Sequence, residues 1–231
     1  VVNEVEMRFV ESEDALAQAA AAELMSAARR GAHIALSGGG TPQRAYEIAA
    51  ELLDDWSGAT LWFGDDRCVP PDHEHSNYRM VKEALLDRVT RPPAVRRIEG
   101  ELDPEEAARR YDEQLQGVRI DLALMGLGPD GHTASLFPDA PELDERERRA
   151  VAAEAGMEPR VPRVTMTIPV FQEAPHVLFL VAGEEKAEAA ARAFGSAPGP
   201  GTPASLTRSV TGRTVALLDP GASTMLRGDA I

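Results

Sequence analysis

Cysteine is almost missing from this chain: Cys68 stands alone in 231 residues. One thiol cannot build an intramolecular disulfide framework, so the fold must rest on its core, and a reducing compartment is expected. Long apolar runs are missing too. No stretch approaches the ~20 residues of a membrane-spanning helix. Val1 to Arg8 has neither the charged nor the apolar region of a secretion signal. Basic residues are scarce, with 24 Lys and Arg against 38 Asp and Glu and a formal net charge of −14. Such a surface repels nucleic acid and anionic membranes, so neither is an expected partner. An anionic ligand would need a local cluster of cations working against the global field. What the chain does have is a hydrophobic content of 43%, enough for a substantial core. The expectation is one acidic cytoplasmic domain spanning 1–231, with a monomer favoured.

Punctuation along the chain places its elements. Val5 to Val10 alternates as a short strand, and Ser12 with Glu13 and Asp14 opens an alanine-rich helix that Gly31 stops. His33–Leu36 is a short apolar strand running into Ser37-Gly38-Gly39-Gly40-Thr41-Pro42, with Pro42 in the first turn of a helix to about Leu53. Thr60–Phe63 is a third strand, ending in Gly64-Asp65-Asp66-Arg67-Cys68. Ser76-Asn77 opens a helix to about Val89, and Asp103-Pro104-Glu105-Glu106 caps another through Leu115. Leu122–Met125 reads as a strand buried on both faces. A short strand is expected at Ala150–Ala153, and Val164–Ile168 reads as a strand stopped by Pro169. His176–Val181 and Thr214–Leu218 are further apolar strands, and Gly195 to Pro203 is a Gly/Pro linker. Apolar strands alternating with helices argue for an α/β fold, a mostly parallel sheet with helices on both faces.

Chemistry concentrates where these strands end. The glycines of Ser37–Pro42 sit at a strand-to-helix junction, where successive backbone N–H groups and the helix dipole form an anion nest. A plain tight turn would not need three consecutive glycines. The loop lacks the Gly-Lys-Ser/Thr element of a nucleoside triphosphate site. Gly126-Leu-Gly128-Pro-Asp-Gly131 matches a dinucleotide fingerprint literally, but His132-Thr-Ala-Ser-Leu-Phe-Pro138 leaves no room for the long helix that fingerprint must open. No nicotinamide cofactor is therefore expected. His132 is the proton-transfer candidate, since imidazole titrates near neutral pH, and Asp130 could orient it. Arg67 could pair with a phosphate or a developing oxyanion, or simply with its own acidic neighbours. Lys186 is a second cation near a helix start. His73 and His75 have no second ligand pair, so they read as solvated rather than metal-binding. Cys68 reads as an inert thiol.

Four stretches taken together carry a resemblance. They are Ser37-Gly-Gly-Gly-Thr-Pro42, Gly64-Asp-Asp-Arg-Cys-Val-Pro70 followed by Ser76-Asn77, Gly126 through Pro138, and Val181-Ala-Gly-Glu-Glu-Lys186. In this order they resemble the 6-phosphogluconolactonase family, over about Ser37 to Asp219. The family often has Asp-Glu-Arg where this chain has Asp65-Asp66-Arg67. The resemblance implies a Rossmann-like fold shared with glucosamine-6-phosphate deaminase and ribose-5-phosphate isomerase. It implies hydrolysis of 6-phospho-D-glucono-1,5-lactone, with no metal and no organic cofactor. It further implies that His132, with Asp130, activates water. Ser37, Gly38, Gly39, Gly40 and Thr41, with Asp65, Arg67, Asn77 and Lys186, would bind the sugar phosphate. The division of labour among Arg67, Lys186 and other cations such as Arg163 stays open. Two alternatives stand beside this reading: a deaminase-like isomerase, and a non-catalytic sugar-phosphate-binding module.

Overall fold

The computed structural model describes residues 4–226; residues 1–3 and 227–231, the ends of the expected domain, lie outside the described residues. Seven strands form one sheet in which every pairing is parallel: β1 (Val5–Phe9), β2 (His33–Leu36), β3 (Thr60–Phe63), β5 (Ala94–Arg96), β6 (Leu122–Gly126), β9 (His176–Val181) and β10 (Arg213–Leu218), in the order β1-β10-β9-β6-β2-β3-β5. Leu122 through Met125 are each at most 2% exposed. That is why the run is continuously apolar rather than alternating. The helices are α1 (Glu13–Arg29), α2 (Gly40–Leu52), α3 (Asn77–Ala84), α4 (Pro104–Leu115), α5 (Ile168–Glu173) and α6 (Ala187–Gly195). Their starts obey local chemistry. Ser12 Oγ accepts from the Ala15 N–H, and the Asp103 carboxylate accepts from the N–H groups of Glu105 and Glu106. Among the described residues, no helix is long and apolar enough to cross a membrane.

A second, antiparallel sheet departs from the expected single sheet. It joins β4 (Asp65–Arg67), β8 (Arg163–Met166) and β7 (Ala150–Ala153) in the order β4-β8-β7. Three charged residues carry little strand propensity, so β4 is made by its partner rather than by its composition. Ala150, Val164 and Met166 join the same buried cluster as the large sheet. The expected strand over Val164–Ile168 ends two residues early. Pro169 does not stop the chain there; it sits in the first turn of α5, where its missing N–H costs no hydrogen bond.

This topology fixes where a site can form. From β2 the chain steps to β3 on one side, whereas β6 lies on the other side of β2. The strand order therefore reverses between β2 and β6, and the loops leaving their carboxyl ends diverge to open a crevice. Register keeps those ends level: Leu36 lies opposite Phe63, and Gly126 opposite Leu180.

Candidate functional site

A cavity of about 280 Å³ lies at that crevice. It sits near the lower end of ligand pockets, roughly 300–1,000 Å³, as suits a small polar molecule. Ten of the residues singled out from the sequence line it: Ser37, Gly38, Gly39, Gly40, Thr41, Asp65, Arg67, Asn77, His132 and Lys186. The eleventh, Asp130, stands behind His132.

The glycine loop leaves β2 and enters α2. Ser37 is anchored through Tyr46, whose hydroxyl donates to the Ser37 carbonyl at 2.8 Å and accepts from its N–H at 3.1 Å. Gly39, at φ +106°, precedes α2 and supplies no side-chain cap. The first N–H groups of α2 therefore keep their capacity to bind an anion. Gly38 is required by close approach: a Cβ there would lie 2.2 Å from Asn77 Oδ1. The Thr41 hydroxyl is already engaged, donating to Glu13 Oε1 at 2.9 Å. In this arrangement the loop offers an anion its amides rather than that hydroxyl.

His132 is held by a tight loop beyond β6. Gly128 N–H donates to the His132 carbonyl and Gly131 N–H to the Gly128 carbonyl, both at 2.9 Å, and the Thr133 hydroxyl donates to the Gly126 carbonyl at 2.7 Å. Gly131 has φ +98°, and Ala134 adopts φ +50° despite its Cβ. Such a residue costs on the order of 1 kcal/mol and persists where the surroundings over-determine it. His132 Nδ1 lies 2.5 Å from Asp130 Oδ1, which also accepts from the His132 N–H at 3.1 Å. Burial pushes the Asp130 carboxyl up, but the bonds from His132 outweigh it and leave the group below its ordinary value. A carboxylate only accepts, so Nδ1 carries the proton and the Nε2 lone pair is free to take another. The Phe137 ring packs against the imidazole, with centroids 5.0 Å apart.

Strand alternation in β4 separates two adjacent acids. Asp65 and Arg67 line the cavity. Asp65 is buried and accepts from Ser135 Oγ at 2.6 Å, while Asn77 Nδ2 donates to its carbonyl at 3.0 Å. Asp66 does not line this cavity. It accepts from the N–H groups of Asn77, Arg67 and Tyr78 at 2.7, 2.8 and 3.1 Å, so it ties β4 to the start of α3. Burial pushes its carboxyl up to about 6 despite those bonds. Burial also pushes the Cys68 thiol up to about 11, as an inert thiol requires.

Three cations serve the cavity. Arg67 is steadied by donating from Nη1 to the His75 carbonyl at 2.9 Å. Lys186 ends the short helical turn Glu184–Lys186 before α6. Arg163, named from the sequence only as a further cation of open role, lies directly opposite Arg67 across β4 and β8. Met157 and Leu180 also line the cavity and carried no sequence signal. Among the described residues, no three His, Cys, Asp or Glu side chains gather as a metal site.

Comparison with known proteins follows the same lines. Residues 11–216 match the model of the family described as glucosamine-6-phosphate isomerases/6-phosphogluconolactonase. A human 6-phosphogluconolactonase is 41% identical over 175 residues, covering 72% of this chain and 68% of that one. A 6-phosphogluconolactonase from Streptomyces coelicolor is 34% identical over 237 residues, covering 91% and 90%. The solved structure of 6-phosphogluconolactonase from Trypanosoma cruzi superposes with a TM-score of 0.84 at 26% identity, covering 98% of each chain. The chain belongs to the glucosamine-6-phosphate isomerase/6-phosphogluconolactonase family.

Proposed function

We propose that this protein hydrolyses 6-phospho-D-glucono-1,5-lactone to 6-phosphogluconate, acting as a cytoplasmic, single-domain enzyme on a small anionic lactone. The observation that carries the reading is the Asp130–His132 pair, with His132 lining the same small cavity as the glycine loop and its cations. The substrate phosphate sits on the amides of Ser37–Thr41 at the start of α2, with Lys186 as counter-charge. That leaves the lactone carbonyl toward His132.

The chemistry is then spare. Water adds to the lactone carbonyl as His132 Nε2 takes its proton, and Asp130 steadies the resulting imidazolium. The carbonyl π electrons move onto oxygen, and Arg67 or backbone N–H groups of the glycine loop meet that charge. The intermediate collapses with cleavage of the bond from carbonyl carbon to ring oxygen. His132 returns its proton to that oxygen, giving the open-chain hydroxy acid. A positioned general base contributes typically 10²–10⁴-fold, which suits a lactone that is already reactive.

The test is a coupled lactonase assay corrected for spontaneous hydrolysis, run on the 6-phosphorylated lactone and on its unphosphorylated counterpart. The phosphorylated lactone should be strongly preferred. Replacing His132 by Gln should lower kcat on the order of 10²-fold or more while affinity for 6-phosphogluconate survives. An unchanged rate removes His132 from the mechanism. Ammonia release from glucosamine 6-phosphate without lactonase turnover would move the chain to the deaminase branch of its family.

A further inference from the structure

The segment 154–162 between β7 and β8 forms a strap beside the cavity, touching it through Met157, and nothing in the mechanism so far uses it. Met157, 39% exposed, forms part of the cavity wall. Two contacts seat the strap. Gly156 lies on the face of Phe137, so closely that a Cβ there would come within 2.4 Å of the ring. Arg163, only 2% exposed, donates from Nη2 to the Met157 and Pro159 carbonyls at 3.1 and 3.3 Å. Its guanidinium also stacks over Phe137, 5.7 Å from the ring centroid. The same ring packs on His132. Strap, arginine, phenylalanine and catalytic imidazole are thus in serial contact.

Arg163 keeps bonding capacity in reserve. Its Nε is buried without a hydrogen-bond partner among the described residues, and so is Nε of Arg67. These two cations face each other across paired strands, and among the described residues neither guanidinium pairs with a carboxylate. Burying a cation is costly, and burying two side by side more so; the nearby Asp65 charge offsets only part of that cost at Arg163. Burial, and then the neighbouring Arg67 charge, already lowers the affinity of Arg163 for its own proton. An anion in the cavity relieves both penalties.

We propose that Arg163 couples substrate binding to strap closure, gripping the strap carbonyls with one part of its guanidinium and the anionic substrate with the remainder. This rests on the lactonase reading above. Because strap and anion favour the same placement of one rigid fork, each strengthens the other, and such couplings are typically about 5–150-fold. A closed strap also fixes Phe137 and, through it, the plane of the His132 ring.

Arg160 supplies a reporter. Its side chain is 76% exposed, and it precedes Val161 within the strap, so trypsin can cut there once the strap opens. The Arg160–Val161 cleavage rate is measured by mass spectrometry with saturating 6-phosphogluconate, with gluconate as the unphosphorylated control, and binding is followed by calorimetry. In the unaltered protein, 6-phosphogluconate should slow cleavage about 5-fold or more, and gluconate should not. In Arg163→Met, ligand-free cleavage should be faster and the protection lost. Equal protection in Arg163→Met at saturation would overturn the proposal, as would binding without protection in the unaltered protein. If Arg163→Met does not fold, Gly156→Ala tests the strap with the guanidinium intact. Its Cβ should unseat the strap and speed ligand-free cleavage, and a rate equal to that of the unaltered protein would overturn the proposal. Failure of 6-phosphogluconate to bind, together with no lactone turnover, would instead defeat the lactonase reading itself.

Discussion

Gly128 offers a way to move the catalytic imidazole without altering it. A Cβ at this position would lie 2.0 Å from His132 Nδ1, 2.1 Å from Cε1 and 2.8 Å from Asp130 Oδ1. Ordinary van der Waals contact begins near 3.4 Å, so the ring in Gly128→Ala must retreat by more than 1 Å. Gly128 does not have a positive φ, so the backbone itself tolerates alanine. The clash is with a loop side chain rather than with the core, and the fold should survive with a melting temperature close to the parent's. The cost falls on geometry. A general base must stand within hydrogen-bond reach of the water it activates, and a misplacement of about 1 Å can cost on the order of 10²-fold. The expected result is a kcat for the phosphorylated lactone lower by about 10²-fold, with 6-phosphogluconate affinity within a few-fold of the parent. A parental kcat would refute both the Asp130–His132 geometry and its use. A large loss of affinity with intact kcat would show that the added methyl meets substrate instead.

Other perturbations separate binding from scaffold. Lys186→Ala removes one charge-assisted contact to the phosphate, a loss of about 1.5–3 kcal/mol, and should raise KM roughly tenfold or more with little change in kcat. A pure kcat loss would place Lys186 in the chemistry. Asp66→Asn tests the acid under α3. The folded carboxyl titrates at about 6, above its ordinary 3.8, so the fold favours the protonated form. That contribution is present in full below about pH 4 and is lost as pH rises through 6. The stability advantage of the parent over Asp66→Asn, read from urea denaturation, should therefore shrink by up to about 3 kcal/mol between pH 4 and 7.5. A difference that is flat with pH would rule out burial as the dominant influence on Asp66.

The large sheet was legible because its central strands are buried on both faces. That burial writes continuous apolar runs such as Leu122–Met125 and Val177–Val181, and the caps at Ser12 and Asp103 mark helix starts by chemistry that is local. The antiparallel sheet was not legible. β4 consists of Asp65, Asp66 and Arg67, a composition that favours turns, and it exists because β8 supplies its hydrogen bonds from nearly a hundred residues away. β5 is equally short, with two of its three residues exposed. At Pro169, the rule that proline ends a strand gave way to its fitness for the first turn of a helix.

The candidate site divides along the same line. Ser37–Thr41, Asp130 and His132 stand on loops whose glycines announce themselves: Gly38 and Gly128 pass too close to a neighbouring side chain for a Cβ, and Gly39 and Gly131 take a positive φ. Asp65 and Arg67 were named from their motif. Their common aim into the cavity, with Asp66 turned the other way, follows from the period-two alternation of a strand, and would have been readable had β4 been recognised as one. Arg163 was in view only as one more cation, with no signal of where it would stand. Its neighbours in sequence, Val161, Pro162 and Val164, say only that a strand is near. Its significance arises when antiparallel pairing sets it opposite Arg67 in a protein whose net charge is −14. Surface acids could have neutralised either arginine more cheaply at the periphery, as they do for Arg109 and Arg110 on α4. Two guanidiniums whose buried Nε atoms have no partner among the described residues line one cavity, where a bound anion would offset the charge of both.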